Sequence, residues 1–120
     1  MTDKYDSSQS IIKSLEAKDG VAVLVLQGEV DMSNSPALRA KVLEVFDGSP
    51  SVFLIDMTEI KYMDSSGLGT LVEALKWANR KNTKLRLVGA NESVKSVFEI
   101  SRLTSIFQFC DSQEEALAQD

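Results

Sequence analysis

The stretch KYMDSSGLG, residues 61–69, lies where an apolar strand-like run gives way to an apolar helix-like run. Two adjacent serines stand there between an aspartate and a glycine. Residue type alone leaves four roles for them: a nucleophile, a phosphate cradle, a phosphorylation site or a helix cap. A helix N-terminus carries unpaired backbone N–H groups and roughly half a positive charge. Asp64 or Ser65 can cap it. Gly67 removes side-chain bulk where another backbone comes close, yet Gly67 and Gly69 each cost a helix about 1 kcal/mol relative to alanine. A purely structural cap does not require them.

On either side of this stretch the pattern alternates between strands and helices. Before it, SVFLIDM (51–57) is a short strand apolar on both faces, and after it Ser65 or Ser66 to Arg80 is a helix with Leu68, Leu71, Val72 and Leu75 on one face. Further upstream, SIIKSLEA (10–17) and VAVLVLQGEV (21–30) flank a KDG turn, with Gly20 suited to positive φ; this predicts a hairpin whose second strand lies within a covered sheet. SNSPALRAKVLEVF (33–46) offers Ser33, Asn34 and Ser35 as caps before Pro36, then spaces Leu38, Val42, Val45 and Phe46 about one turn apart. Downstream follow a strand KLRLVGA (84–90), a helix NESVKSVFEISRL (91–103), a strand SIFQFC (105–110) and a closing helix DSQEEALAQD (111–120). The expected fold is α/β: one domain over residues 1–120, residues 1–9 a flexible N-terminus, with a mixed five-stranded sheet opening with a β-hairpin and about four helices packed against it.

Composition narrows the function. Hydrophobic residues make up 43% and charged residues 26% of 120, which fits one ordinary globular core. The net charge is −5 and no Lys/Arg run stands out, so neither nucleic acid nor an anionic membrane is an expected partner. The apolar runs fall far short of the ~18 residues a membrane span needs, and MTDKYDSSQS has no signal-peptide core. The expected location is cytoplasmic. The chain has no histidine and one cysteine, Cys110. An internal disulfide is therefore impossible, the usual His/Cys metal sites cannot be built, and a Ser/His/Asp triad is excluded. No metal, cofactor or catalytic residue is expected, and Cys110 reads as a buried, inert thiol.

These absences dispose of specific motifs around the serines. A hydrolase elbow needs G-x-S-x-G, but Met63 and Asp64 precede Ser65. A P-loop needs Gly-Lys followed by Ser or Thr, and the chain has no such run. A receiver domain would use Asp56 as phosphoacceptor, yet it also needs an acidic pair after its first strand and a later lysine that LRLVGANES does not supply. Phosphorylation at the helix start fits the physics. A phosphate adds about −1.5 to −2 charge, tolerable to a helix N-terminus but disruptive to a partner packed over Ser66, Gly67 and Leu68.

GEVD (28–31), SVFLIDM, MDSSGLG (63–69), VGA (88–90) and the acidic EEAL resemble the bacterial anti-sigma factor antagonists of the STAS domain family, over roughly Ile11 to Leu117. The resemblance implies a protein that is not an enzyme. Its unphosphorylated form would bind a GHKL-type serine kinase that doubles as anti-sigma factor, freeing the sigma factor. That kinase would phosphorylate the second serine of the motif, here Ser66, and release the antagonist; a PP2C-type serine phosphatase would reset it. The same resemblance places Asp31, Met63, Asp64, Ser65, Gly67, Leu68 and Gly69 around the phosphosite as partner-binding neighbours. Ser65 and Asp64 are equally readable as caps, and Asp31 as the residue that caps the turn into the first helix. STAS domains also serve as non-switching scaffold subunits of stress-signalling or transporter assemblies, which is the alternative function. Trp77 lies nearly opposite Leu68, Leu71 and Leu75 on its helix, so it either leans on a neighbouring helix or belongs to an interface.

Overall fold

The computed structural model describes residues 11–119; the expected flexible segment 1–9 lies outside the described residues. Strands β1 (Ile12–Lys18), β2 (Val21–Val30), β3 (Val52–Met63), β4 (Lys84–Val88) and β5 (Phe109–Cys110) form one sheet in that spatial order. Among the described residues, helices α1 (Ser35–Asp47), α2 (Ser65–Lys81), α3 (Glu92–Ile100) and α4 (Gln113–Ala118) pack on it. Asp19 and Gly20, both at positive φ (53° and 80°), make the tight turn that pairs β1 antiparallel to β2. The remaining strand pairs are parallel, because each is joined through a helix.

Helices α1, α2 and α3 share one face of the sheet. Leu38, Val42, Val45 and Phe46 of α1 meet Leu68, Leu71, Ala74 and Ala78 of α2 over Leu24, Leu26, Phe53, Ile55 and Met57, all in one buried core. On α2 the buried stripe therefore passes through the two alanines, while Val72 and Leu75 are only half-buried at its margins. The six-residue α4 covers the other face, where Ala116 packs with Leu54, Val88 and Cys110. Arg86 of β4 is 2% exposed there and donates to the carbonyls of Ala116 (2.6 Å) and Gln119 (3.3 Å), holding the end of α4 down.

Four expectations change. Because α4 is short, it reaches β3, β4 and β5 but, among the described residues, leaves the same face of β2 without a helix over it. In β2, Ala22, Leu24 and Leu26 are buried, whereas Val21, Val23 and Val25 on the opposite face are half-buried. β3 runs on through TEIKYM to Met63, pairing there with β2 alone. The strand expected at 105–110 shrinks to Phe109–Cys110, since Thr104–Ile106 form a 3₁₀ turn and Phe107 drops into the core against Phe98 (ring centroids 5.1 Å apart). Helix α3 ends at Ile100, where Arg102 takes a left-handed conformation (φ 60°) and Leu103 N–H returns to the Phe98 carbonyl.

Candidate functional site at the start of helix α2

β2 and β3 run parallel, and their register aligns Val30 with Met63. Their C-terminal ends thus place Asp31 and Asp64 side by side, and Asp64 N–H donates to the Val30 carbonyl (3.0 Å). From Asp64 the chain turns directly into α2. The Asp64 carboxylate is the helix cap: Oδ1 accepts from Ser66 N–H (2.9 Å) and, at longer range, Gly67 N–H (3.4 Å). The same oxygen accepts the Ser66 hydroxyl at 2.6 Å. Of the two readings of Asp64, its cap role is thus visible, and through that cap it touches Ser66.

These bonds set the electrostatics. The hydrogen bond from Ser66 hydroxyl holds the Asp64 carboxyl below its ordinary range; partial burial opposes this, and the Ser66, Gly67 and Met32 amides add to the lowering. Asp64 is a carboxylate at neutral pH, and the Ser66 proton points at it. Ser66 is half-buried and Ser65 exposed.

Asp31 starts a turn of its own. Its Oδ1 accepts from Ser33 N–H (2.9 Å) and Ser33 hydroxyl (2.6 Å), and its carbonyl accepts from Asn34 and Ser35 N–H (3.1 and 2.8 Å). Asn34 closes the turn from the other side, accepting Asp31 N–H (2.9 Å) and donating to the Glu29 carbonyl (2.9 Å). The capping of this turn is Asp31's visible work, beside Asp64 at the mouth of the site. Held at the tip of the turn is Met32, 78% exposed. Sequence reasoning did not single it out; an apolar residue inside a polar MSNS run was the available signal.

The remaining residues of the stretch divide into floor and rim. Met63 is fully buried, Leu68 is 5% exposed, and Gly67 is buried between them. A Cβ on Gly67 would stand 2.7 Å from Met63 Cγ and 2.8 Å from Val30 Cγ1. The close approach that requires a glycine at 67 is thus internal, between α2 and the ends of β2 and β3. Gly69 is the opposite case. It is exposed, and a Cβ there would meet nothing within 4 Å among the described residues, so it costs α2 about 1 kcal/mol relative to alanine without a packing return from them. Met63, Gly67 and Leu68 form the floor; Asp31, Met32, Asp64, Ser65, Ser66 and Gly69 form the accessible rim.

Three other sequence readings find their places. Asp56 lies on the α4 side of the sheet. Burial pushes its carboxyl up, but hydrogen bonds from the Thr58 hydroxyl (2.6 Å), Gln113 (2.6 Å) and Thr58 N–H (2.9 Å) outweigh that and hold it below its ordinary range. It is a structural carboxylate there. The Cys110 thiol is free and buried; burial first, then Glu115, raises its pKa, so it stays protonated and inert. Trp77 leans on a neighbouring helix, its ring 6.5 Å from Phe46 of α1 and nearly parallel to it (28°), with Arg80 over the ring at 5.4 Å. Among the described residues no three His, Cys, Asp or Glu side chains converge as a metal site, and no helix is long and apolar enough to cross a membrane.

A mixed sheet with three helices on one face, and a D-S-S-G helix start at the ends of two parallel strands, are the architecture of a STAS-type domain. The STAS domain family matches residues 13–116, and the chain belongs to it. Among its relatives, the anti-sigma-B factor antagonist of Listeria monocytogenes is 33% identical over 93 residues, spanning 77% of this chain and 81% of that protein. The crystal structure of an anti-sigma factor antagonist from Mycobacterium paratuberculosis is 26% identical, with a TM-score of 0.81 over 90% of this chain and 92% of that one. The anti-sigma factor antagonist SpoIIAA in its unphosphorylated form is 25% identical, with a TM-score of 0.74 over 87% and 91% of the two chains.

Proposed function

We propose that this chain is an anti-sigma factor antagonist that acts by partner switching in the cytoplasm. In its unmodified form it binds a GHKL-type serine kinase that serves as anti-sigma factor, and so frees a sigma factor. That kinase phosphorylates Ser66 and thereby releases the antagonist; a PP2C-type phosphatase returns it to the binding state. The chain itself is a substrate and a ligand in this cycle and catalyses nothing.

The observation that carries the reading is the Ser66 hydroxyl, half-buried in the rim and hydrogen-bonded at 2.6 Å to the Asp64 carboxylate. A phosphate on Ser66 loses that donor and brings about −1.5 to −2 charge beside an ionised Asp64. Two unit charges about 4 Å apart repel by roughly 4 kcal/mol at an effective dielectric near 20. Relief comes from water in the free protein. Under a partner that excludes water the repulsion stays, which separates the complex while the fold survives.

The test is a pull-down from lysate with the unmodified protein and its Ser66→Asp variant, followed by mass spectrometry of captured proteins and of sites modified on incubation with ATP. Capture of one ATP-binding kinase by the first bait, its loss with the second, and phosphate on Ser66 are the expected results. Ser66→Ala should bind and resist modification. If both baits retain the same large assembly, the protein is a scaffold subunit and Ser66 is only part of a helix cap. Phosphate on Ser65 in the Ser66→Ala variant would overturn the assignment of a single acceptor.

A further inference from the structure

Ser65, Gly69, Glu73, Lys76 and Arg80 fall on one side of α2, since helical neighbours recur every three or four residues. Over them lies a shallow groove of ≈ 450 Å³, lined by Gly69, Val72, Glu73, Lys76, Trp77 and Arg80. Its upper end, at Gly69, is one helical turn from the phosphosite, and its lower end at Arg80 is about 21 Å from Ser66 along the axis. The floor is apolar, from half-buried Val72 and Trp77, and the bare backbone of Gly69 opens it.

The charge of this strip runs against that of the molecule. The chain carries −5, yet among the described residues that line the groove Lys76 and Arg80 stand beside one anion, Glu73, which Arg39 of α1 also reaches. Arg39 engages Glu73 with two bonds (2.8 and 2.9 Å), while Lys76 is exposed along the groove and Arg80, also exposed, lies over the Trp77 ring at 5.4 Å. Gly69 lowers the stability of α2, and no packing contact among the described residues requires it. A glycine in an exposed helix with a cationic, part-aromatic groove beneath it suits the close approach of a second helix.

We propose that this groove receives an acidic amphipathic helix of the same kinase that acts on Ser66, so that the docking surface runs from the phosphosite down α2 to Arg80. The inference rests on the reading of Ser66 given above. Acidic side chains of that helix meet Lys76 and the Arg80 guanidinium where it lies over Trp77, and one apolar side chain lies over Val72. The groove supplies affinity that phosphorylation at one end can cancel, without itself being modified.

The test uses the full-length protein and the purified ATP-binding kinase, in the presence of ADP, by titration calorimetry at two salt concentrations. Three variants are compared with the wild type: Gly69→Gln, Lys76→Glu with Arg80→Glu, and Ser66→Asp. Chemical denaturation of each variant is run alongside. Gly69→Gln should raise the denaturation midpoint and weaken binding at least tenfold, a pairing that misfolding cannot produce. The double charge reversal should weaken binding at least tenfold and flatten its salt dependence. If both bind like wild type while Ser66→Asp does not, the groove proposal fails and the phosphosite reading stands. If Ser66→Asp also binds like wild type, or the wild type forms no complex, both fall. A wild-type dimer in sedimentation that Gly69→Gln dissociates would assign the groove to a second copy of this chain and overturn the proposal.

Discussion

Replacing Gly67 or Gly69 by alanine makes the same chemical change two residues apart in one helix, and the structure requires opposite outcomes. At Gly69 the new methyl meets no atom of the described residues within 4 Å, so only the helix-propensity gain remains, about 0.5–1 kcal/mol of added stability. At Gly67 the methyl would stand 2.7 Å from Met63 Cγ and 2.8 Å from Val30 Cγ1. Both neighbours are fully buried, so neither side chain can swing into solvent. Overpacking of this kind costs roughly 1–3 kcal/mol, which the propensity gain offsets in part. Because the propensity gain is similar at both sites, the difference between the variants isolates the strain where α2 crosses β2 and β3. Urea denaturation followed by Trp77 fluorescence measures it. At an m-value of about 2 kcal/mol/M, Gly69→Ala should unfold about 0.5–1.5 M above Gly67→Ala. Val30→Ala should cost less in the Gly67→Ala background than in the wild type, a non-additive coupling expected of touching residues. Two alanine variants within about 0.3 kcal/mol of each other would refute the packing assigned to Gly67.

The cap can be tested by pH. Asp64 has its carboxyl lowered in the folded state, so its contribution is complete above the ordinary carboxylate range near pH 4 and is lost as pH falls through the folded value. Asp64→Ala should cost about 1 kcal/mol at pH 7 and remove part of the acid-induced loss, and an unchanged acid limb in the stability profile would contradict the cap. Arg86→Met should cost roughly 2–3 kcal/mol by leaving the Ala116 and Gln119 carbonyls without their cationic donor, and hydrogen exchange should show α4 loosening before the rest of the sheet. Cys110, buried and with its pKa raised, should resist alkylation in the native protein at pH 8 and react fully once unfolded; fast native labelling would show that α4 does not cover it.

Much of the architecture was legible because local chemistry and tertiary packing agree. The Asp19–Gly20 turn, the α1 stripe Leu38/Val42/Val45/Phe46 and the start of α2 at Ser65 all occur as the sequence implied. The second half of β3 was hidden for a definable reason. Thr58 to Met63 bury every third residue, Ile60 and Met63, a period that fits neither a strand nor a helix. Register shifts in the β2–β3 pairing, near Gln27 and after Gly28 (φ 85°), disrupt the usual alternation. Phe107 likewise breaks the last strand by going into the core rather than along the sheet. Within the site, Ser66 and Asp64 were visible as a motif, but Gly67 and Gly69 look equivalent in sequence. Only the fold shows that one faces Val30 and Met63 and the other faces solvent. The exposure of Met32 depends on a turn closed by Asp31, Ser33 and Asn34, a set of bonds that residue order does not announce.

On the reading proposed above, the floor of the site explains why a single phosphate would be felt outside the protein and hardly within it. Beneath Ser66, Met63, Leu68 and Val30 are buried in one core, and at Gly67 even a methyl group would stand within 3 Å of Met63 and Val30, so the floor has no room for an added group. The Ser66 and Gly67 amides are already occupied by the Asp64 carboxylate, and Asp31 is engaged by Ser33. A phosphate therefore cannot move inward, nor can it take over the cap without expelling Asp64. Its remaining path is outward, across the rim between Met32 and Gly69. That is the surface a partner must cover to reach Ser66. A rigid floor thus turns a local charge into a change of surface, and a softer core would absorb the same modification without a signal.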